Sequence, residues 1–367
     1  MAPSRTSART VVGLDIEPGF VAAAEVRVGS AVTIERAAGA ALAPGVLRDG
    51  EVADVEALAE TLRELFRTHR LGKKVRLGVA TQRIVVRTID LPPLEDPKEL
   101  DAAVRFQAQD HIPMPLDQAV LSHQSLGVFD TPDGPRTRVV LVAARRDVVE
   151  RMHAAARAAG LRPVGIDLAA FAMIRALHDG TPGATLYVSV GGMTNLAFAE
   201  GTTCVFTRVV PGGVEALAAE LAERRGLTLE HARQWLVHVG LTTPLEQVDG
   251  DAEIVEEARS VLLEGVRRIS DEVRNSLDFH RAQAGALAAE QVVLTGPAVA
   301  IPGFCDELAA ATGLPVRAGV VEEARDGGHG GIAANRLAIA AGLAVEEAPA
   351  QPQVEPPPTP APEAEAA

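Results

Sequence analysis

The chain opens with an apolar block, Val11–Ile16, that holds one carboxylate, Asp15, and ends at Glu17-Pro18-Gly19. Pro then Gly suits the two central positions of a type II turn. The block therefore predicts a strand that returns as Phe20–Arg27 and, after a second turn at Gly29–Ser30, continues as a third strand, completing a meander. Over residues 54–70 the period changes, because Val55, Leu58, Leu62, Leu65 and Phe66 recur at helical spacing behind Asp54, a suitable N-cap. Residues 75–80 again read as a strand. From Val85 onward, strands and helices alternate: a strand stopped by Pro92–Pro93, a helix with Pro97 in its first turn, two strands around Asp130–Pro135, a helix closed by Gly160, and a further strand. This alternation predicts a compact α/β unit spanning Val85 to Asp167.

The segment Ala184–Val210 repeats the opening grammar of strand, Gly-containing turn, strand, turn, strand, and Ser189 stands where Asp15 stood. The repeat predicts a duplicated, two-lobed molecule. Residues 214–283 read as mostly helical, "QVVLT" as a strand entering the turn Gly296-Pro297, and "GGIAANRLAIAAGLAV" as a last apolar helix. The stretch 348–367 is rich in Pro and Glu, cannot pack, and is expected to be disordered.

Composition narrows the function classes. The chain has 367 residues, 47% hydrophobic and 23% charged, with aromatics at only 3%, so its core must be built from Ala, Val and Leu. A formal charge of -14 gives the wrong long-range field for phosphate backbones, which argues against nucleic acid as a partner. The two cysteines, Cys204 and Cys305, form no CxxC pair, so neither a disulfide scaffold nor a zinc cluster is expected. No segment reaches the roughly 20 apolar residues needed to span a bilayer. These features predict a cytoplasmic protein without direct membrane insertion.

Asp15 is the residue that asks for chemistry. An unpaired buried carboxylate is costly, so it should either accept hydrogen bonds in a turn or face a cation in a cleft. The stretches "VGLDI", "LPPLEDPKELDAAVRFQAQDHIPMPLDQAVLSHQ", "VVLVAARRDVVERMHAAARAAGLRPVGIDL", "SLDFHRAQ" and "LTGPAVAIPGF" resemble the type IV pilus assembly protein PilM family, relatives of the cell-division protein FtsA. The resemblance runs from Val11 to about Ala344, and "FQAQDHIPMPLDQAV" is its most specific part.

It implies an α/β, actin-like ATPase fold of two duplicated lobes. The first lobe would cover residues 11–84, resumed at 168–183 and by a helix at 331–346. An inserted SHS2-like α/β subdomain would cover 85–167, and the second lobe 184–330, with a helical subdomain around 214–283. It further implies an adaptor at the cytoplasmic face of the inner membrane that binds the cytoplasmic N-terminal peptide of a PilN-like single-span protein and links the pilus platform to motor components.

By the same resemblance, ATP and Mg would lie between the lobes. Asp15 would serve the metal, and Asp15, Gly19, Gly191, Gly192, Thr194 and Gly296 would line the nucleotide site. Several positions depart from the family pattern. Glu17-Pro18-Gly19 replaces a Gly-Ser-Ser type loop, Ser189 replaces an Asp, and "TGPA" replaces a Gly-rich run, with Pro297 removing an N–H. The departures predict weak or lost nucleotide binding and little or no hydrolysis. Two other readings stay open: a small-molecule kinase of the same superfamily and an FtsA-like filament protein. "VPGGVEAL" is a minor candidate for a further phosphate loop, and Arg145–Arg146 for a partner patch.

Overall fold

The computed structural model describes residues 11–29, 31–94, 96–132, 134–283, 287–328 and 332–345. The expected disordered stretch 348–367 lies outside the described residues.

The opening meander forms as β1 (Val12–Glu17), β2 (Phe20–Val28) and β3 (Val32–Ala41), followed by a short hairpin, β4 (Leu47–Arg48) and β5 (Glu51–Val52). Next come α1 (Val55–His69) and β6 (Lys74–Val79). The Asp54 carboxylate accepts from the Ala57 N–H at 3.0 Å and caps α1, whose face of Leu58, Leu62, Leu65 and Phe66 is buried. β7 (Val85–Leu91), α2 (Pro97–His111), β8 (Ala119–Thr131) and β9 (Gly134–Arg145) follow, then α3 (Arg146–Ala158), β10 (Arg162–Leu168) and α4 (Ala169–Leu177).

The second meander is β11 (Ala184–Val190), β12 (Thr194–Glu200) and β13 (Thr203–Val210). Helices α5 (Val214–Arg225), α6 (Leu229–Val239) and the 30-residue α7 (Ala252–Arg281) make up the helical stretch. β14 (Ala289–Thr295), α8 (Phe304–Thr312), β15 (Val316–Ala318), β16 (Glu322–Gly328) and α9 (Ala338–Ala344) complete the described chain.

Duplication is visible in the sheets. The first sheet runs β10-β6-β1-β2-β3-β16 and the second β13-β12-β11-β14-β15. In each, an antiparallel meander is extended by parallel strands beside its first member. Helices α1 and α3 cover one face of the first sheet. Between the two sheets lie α4 and α9, and α5 to α8 cover the far face of the second.

The middle layer is packed most tightly at two glycines. At Gly342 of α9 a Cβ would run into the Ala172 carbonyl of α4, and at Gly13 of β1 it would meet the Ala340 carbonyl. At these two contacts only Gly fits, while the rest of the layer is filled by residues such as Ala172, Met173, Ile174 and Leu343 with Tyr187 and Phe171 beside them.

Two expected boundaries move. Only 85–145 forms a separate three-stranded sheet, β7-β9-β8, with α2 packed on it around Ile89, Val104, Val139 and Leu141. Helix α3 instead buries Met152, Ala155 and Ala156 in the first lobe's core, and β10 pairs in parallel with β6, so the expected inserted unit 85–167 is divided at Arg145. β16 likewise pairs with β3 and leaves the second lobe, whose expected span ran to 330. Among the described residues, the expected helix 331–346 is α-helical only over α9. Residues 334–336 form a 3-10 turn, held there by Asn335, whose carbonyl accepts from the Gly296 N–H at 2.9 Å.

Candidate functional site: the cleft between the lobes

The β1–β2 turn of the first lobe faces the β11–β12 turn of the second. Gly19 has φ +85, the left-handed conformation that the second central position of the Pro18-Gly19 turn requires. Asp15 pairs with Ala22 within the β1–β2 ladder, so it is a strand residue and not a capped turn acid. It is 8% exposed, and among the described residues its carboxylate accepts no hydrogen bond. Asp15, Glu17, Ser189, Thr295, Gly296, Asn335 and Arg336 line a cavity of about 10 Å³, room for roughly one water.

Glu17 crosses this cleft. Its Oε2 accepts the Gly192 N–H at 2.7 Å. A Cβ at Gly191 would strike the Glu17 carboxylate, and one at Gly192 would strike the Pro18 carbonyl, so both glycines are needed for the lobes to close this far. The neighbouring Gly191 N–H already donates to the Met193 carbonyl at 3.0 Å.

Burial pushes the Asp15 carboxyl up to about 7. Burial, followed by the charge of Asp15, pushes Glu17 up to about 8, against the opposing pull of the Gly192 hydrogen bond and Arg336. The two acids thus sit in a site that disfavours their both being ionised at neutral pH.

Around them lies an ion-pair knot that sequence reasoning missed. Glu215, at the start of α5, is 7% exposed and accepts from Arg233 Nε at 2.7 Å and Arg336 Nη2 at 2.8 Å. Arg233 also reaches the Gly19 carbonyl at 3.4 Å, and Arg336 lies 4.5 Å from the Phe20 ring centroid. The knot therefore ties α5 and α6 of the second lobe to the first lobe's hairpin. The one local signal in "VEALAAEL" was that Glu215 stands one turn before Ala218, a buried position.

The remaining expected ligands are engaged inside the protein. Thr194 Oγ1 donates to the Gly212 carbonyl at 2.9 Å and braces the "VPGG" loop. Gly19's carbonyl accepts from Leu42, and the Gly296 carbonyl accepts from Asn335 Nδ2 at 3.1 Å. Arg145 pairs with Asp147, and Arg146 donates to the Asp117 and Ala119 carbonyls, so both serve the β8–β9 strand ends rather than an open patch.

As the two turns are placed here, they leave a phosphate few free donors and little room. A nucleotide's phosphates would need the Gly192 N–H that Glu17 occupies, Pro18 and Pro297 have no N–H to give, and the space is far below the few hundred Å³ of ordinary ligand pockets. Among the described residues no three His, Cys, Asp or Glu side chains converge as a metal site. The expected Mg site at Asp15 therefore has one acid facing the cavity and a second, Glu17, committed to Gly192.

Two lobes that share a five-strand order, with β16 added to the first, joined by a central helix layer and facing each other through their first hairpins, define the actin-like ATPase fold. The chain belongs to the type IV pilus assembly protein PilM family, whose family model matches residues 13–347. It is similar at 25% identity and a TM-score of 0.72 to a chain of a PilM-PilN type IV pilus biogenesis complex, covering 91% of this chain and 97% of that one. Ethanolamine utilization protein EutJ from Carboxydothermus hydrogenoformans shares the fold at 16% identity and a TM-score of 0.51, covering 91% of this chain and 88% of that one.

Proposed function

We propose that this protein is an actin-like adaptor of a type IV pilus assembly or related secretion platform, and that it works without turning over nucleotide. The observation that carries the reading is Glu17: a carboxylate of the protein itself takes the N–H that a bound phosphate would use. The fold keeps its two lobes, but the cleft is closed by a carboxyl group of the protein itself. A superfamily kinase would need room for both nucleotide and substrate, and a cavity of about 10 Å³ provides neither.

The proposed partner is the cytoplasmic N-terminal peptide of a PilN-like single-span inner-membrane protein. Membership of the PilM family and likeness to a chain of a PilM-PilN complex support it. In this reading the extended peptide sits between the lobes, in a cavity of about 240 Å³ lined by Val79, Thr81, Ile84, Leu168, Asn195 and Thr207. This volume suits one or two side chains, with the buried Asn195 and Thr81 to orient a peptide backbone. Among the described residues no helix is long and apolar enough to cross a membrane, so in this reading the inner membrane is reached through the partner, and platform and motor components attach to the same cytoplasmic assembly.

Calorimetric titration of the full chain with the synthetic N-terminal peptide of the PilN-like protein from the same source tests this. Binding is expected in nucleotide-free buffer and unchanged by added Mg·ATP. No heat up to about millimolar peptide, equivalent to only roughly 4 kcal/mol, would remove the partner reading. Binding that required ATP would remove the closed-cleft reading.

A further inference from the structure

The first lobe gathers unanswered cations at one end of its sheet. β6 begins at Lys74, directly after Lys73, and these are two of the chain's three lysines. Arg70 caps the C-terminus of α1. Arg162 opens β10 opposite Lys74 in the β6–β10 ladder, and its N–H donates to the Lys73 carbonyl at 2.7 Å. Among the described residues the side chains of Arg70, Lys73, Lys74 and Arg162 make no ion pair and no hydrogen bond. The acids around them are already engaged: Glu25 with Arg36 and the Gly72 N–H, Glu35 with Arg27, and Glu64 with Arg67. Glu322 and Glu323 stand on β16, at the far edge of the sheet. Helix dipoles account for cations in a last turn, such as Arg67 and His69, but not for Lys73, Lys74 and Arg162 beside strand starts.

The chain itself brings an anion to this place. Val75 and Leu77 face the first lobe's core, so by strand alternation Lys74 and Arg76 face the α9 side. There Arg76 donates to the Leu343 carbonyl at 3.1 Å and the Val345 carbonyl at 2.6 Å. The chain therefore leaves α9 on the face that carries Lys74 and, opposite it in the ladder, Arg162. Residues 346–367 follow, with Glu346, Glu347, Glu355, Glu363 and Glu365 and no Lys, Arg or His. We infer that this acidic segment folds back over the start of β6 and is the anion that Arg70, Lys73, Lys74 and Arg162 face. Position and charge both select it over an outside anion. Its attachment point is fixed beside the cations, and a tether of this length holds its carboxylates at an effective concentration in the millimolar range. Charge attraction needs no fixed conformation, so a composition that cannot pack can still be held. The segment is thus a built-in cover that an external anionic chain must outcompete to reach the basic surface.

The test joins carboxylates to amines in the full chain with a zero-length carbodiimide, and reads the links by mass spectrometry in the monomer band. The third lysine, Lys98 on α2, is the internal control. Glu346 and Glu347 adjoin the attachment point and would react through tethering alone, so only Glu355, Glu363 and Glu365 are read. They are expected to couple to Lys73 or Lys74 and not to Lys98. Raising salt from about 0.05 M to about 1 M, where the Debye length falls to about 3 Å, should cut this coupling at least about fivefold. A double variant, Arg70→Asn with Arg162→Ser, keeps both lysines and removes two of the cations. Asn tolerates the left-handed backbone of Arg70, at φ +51, and neither side chain has a partner to lose, so the melting temperature should hold. Its coupling should fall at least about threefold. No coupling to Lys73 or Lys74, equal coupling to Lys98, or coupling that neither salt nor the double variant reduces would each overturn the proposal and leave the basic surface to an external anion. The readout involves neither peptide nor nucleotide, so it stands apart from the adaptor reading.

Discussion

The Glu17 crossing can be tested by changing its charge and keeping its shape. In Glu17→Gln the amide oxygen still accepts from Gly192, while the charge that burial and Asp15 oppose is gone. A carboxyl whose value rises from 4.5 unfolded to about 8 folded binds more protons in the folded state between those limits, so its contribution makes stability fall as pH rises through that window. The full shift corresponds to roughly 5 kcal/mol at about 1.4 kcal/mol per unit. The side chain keeps a partial opening to solvent, which reduces this to about 2–4 kcal/mol.

At pH 4.5 the wild-type Glu17 is already protonated in the folded protein, and the variant should be nearly neutral. At pH 9 the variant should be more stable by those 2–4 kcal/mol. Urea denaturation of both proteins at pH 4.5, 7 and 9 gives the difference, in which titrations remote from Glu17 cancel and only that of its neighbour Asp15 is carried along. A variant less stable than wild type at pH 9, or a difference that does not change with pH, would show that Glu17 is comfortably ionised and that the crossing is an ordinary charged bond.

Other outcomes follow from the same geometry. Glu215→Ala should cost about 3–5 kcal/mol, because Arg233 and Arg336, both largely buried, lose their common partner; chemical denaturation reads it. Gly342→Val should cost at least about 1–3 kcal/mol, since the obstruction is the Ala172 backbone and no side chain can move aside. The purified protein should release no phosphate from ATP above background, and the pair Glu17→Gly with Ser189→Asp should raise nucleotide affinity in a fluorescent-analogue assay; steady turnover by wild type abolished by Asp15→Ala would contradict the closed cleft.

Much of the architecture could be read from local pattern. The Asp54 cap, the Pro97 start of α2 and the stop at Gly160 stand where short-range chemistry puts them. The second meander betrayed the duplication. Packing allegiance was harder, because an amphipathic helix such as α3 shows the same stripe whichever sheet it covers, and only the β6–β10 pairing assigns it to the first lobe. Glu17 was legible as an intrusive charge beside Asp15. Its hydrogen bond to a residue 175 positions away was not, and neither was the knot joining residues 215, 233 and 336. Such contacts depend on how the lobes close, which no local period encodes.

The order in which the chain is synthesised has a bearing on the middle layer. The second sheet and its covering helices form one uninterrupted stretch from β11 to β15, so they can fold as soon as that stretch has left the ribosome. The first sheet cannot finish so early. Its β16 edge and the α9 helix packed over β1 are made after the whole second lobe, although β1 to β3 are made first. Until then the apolar face of the meander, with Ala22, Ala24, Val26 and Ile34, has no α9 to cover it, which makes the earliest part of the nascent chain the natural client of a chaperone and the second lobe the template on which the first is completed.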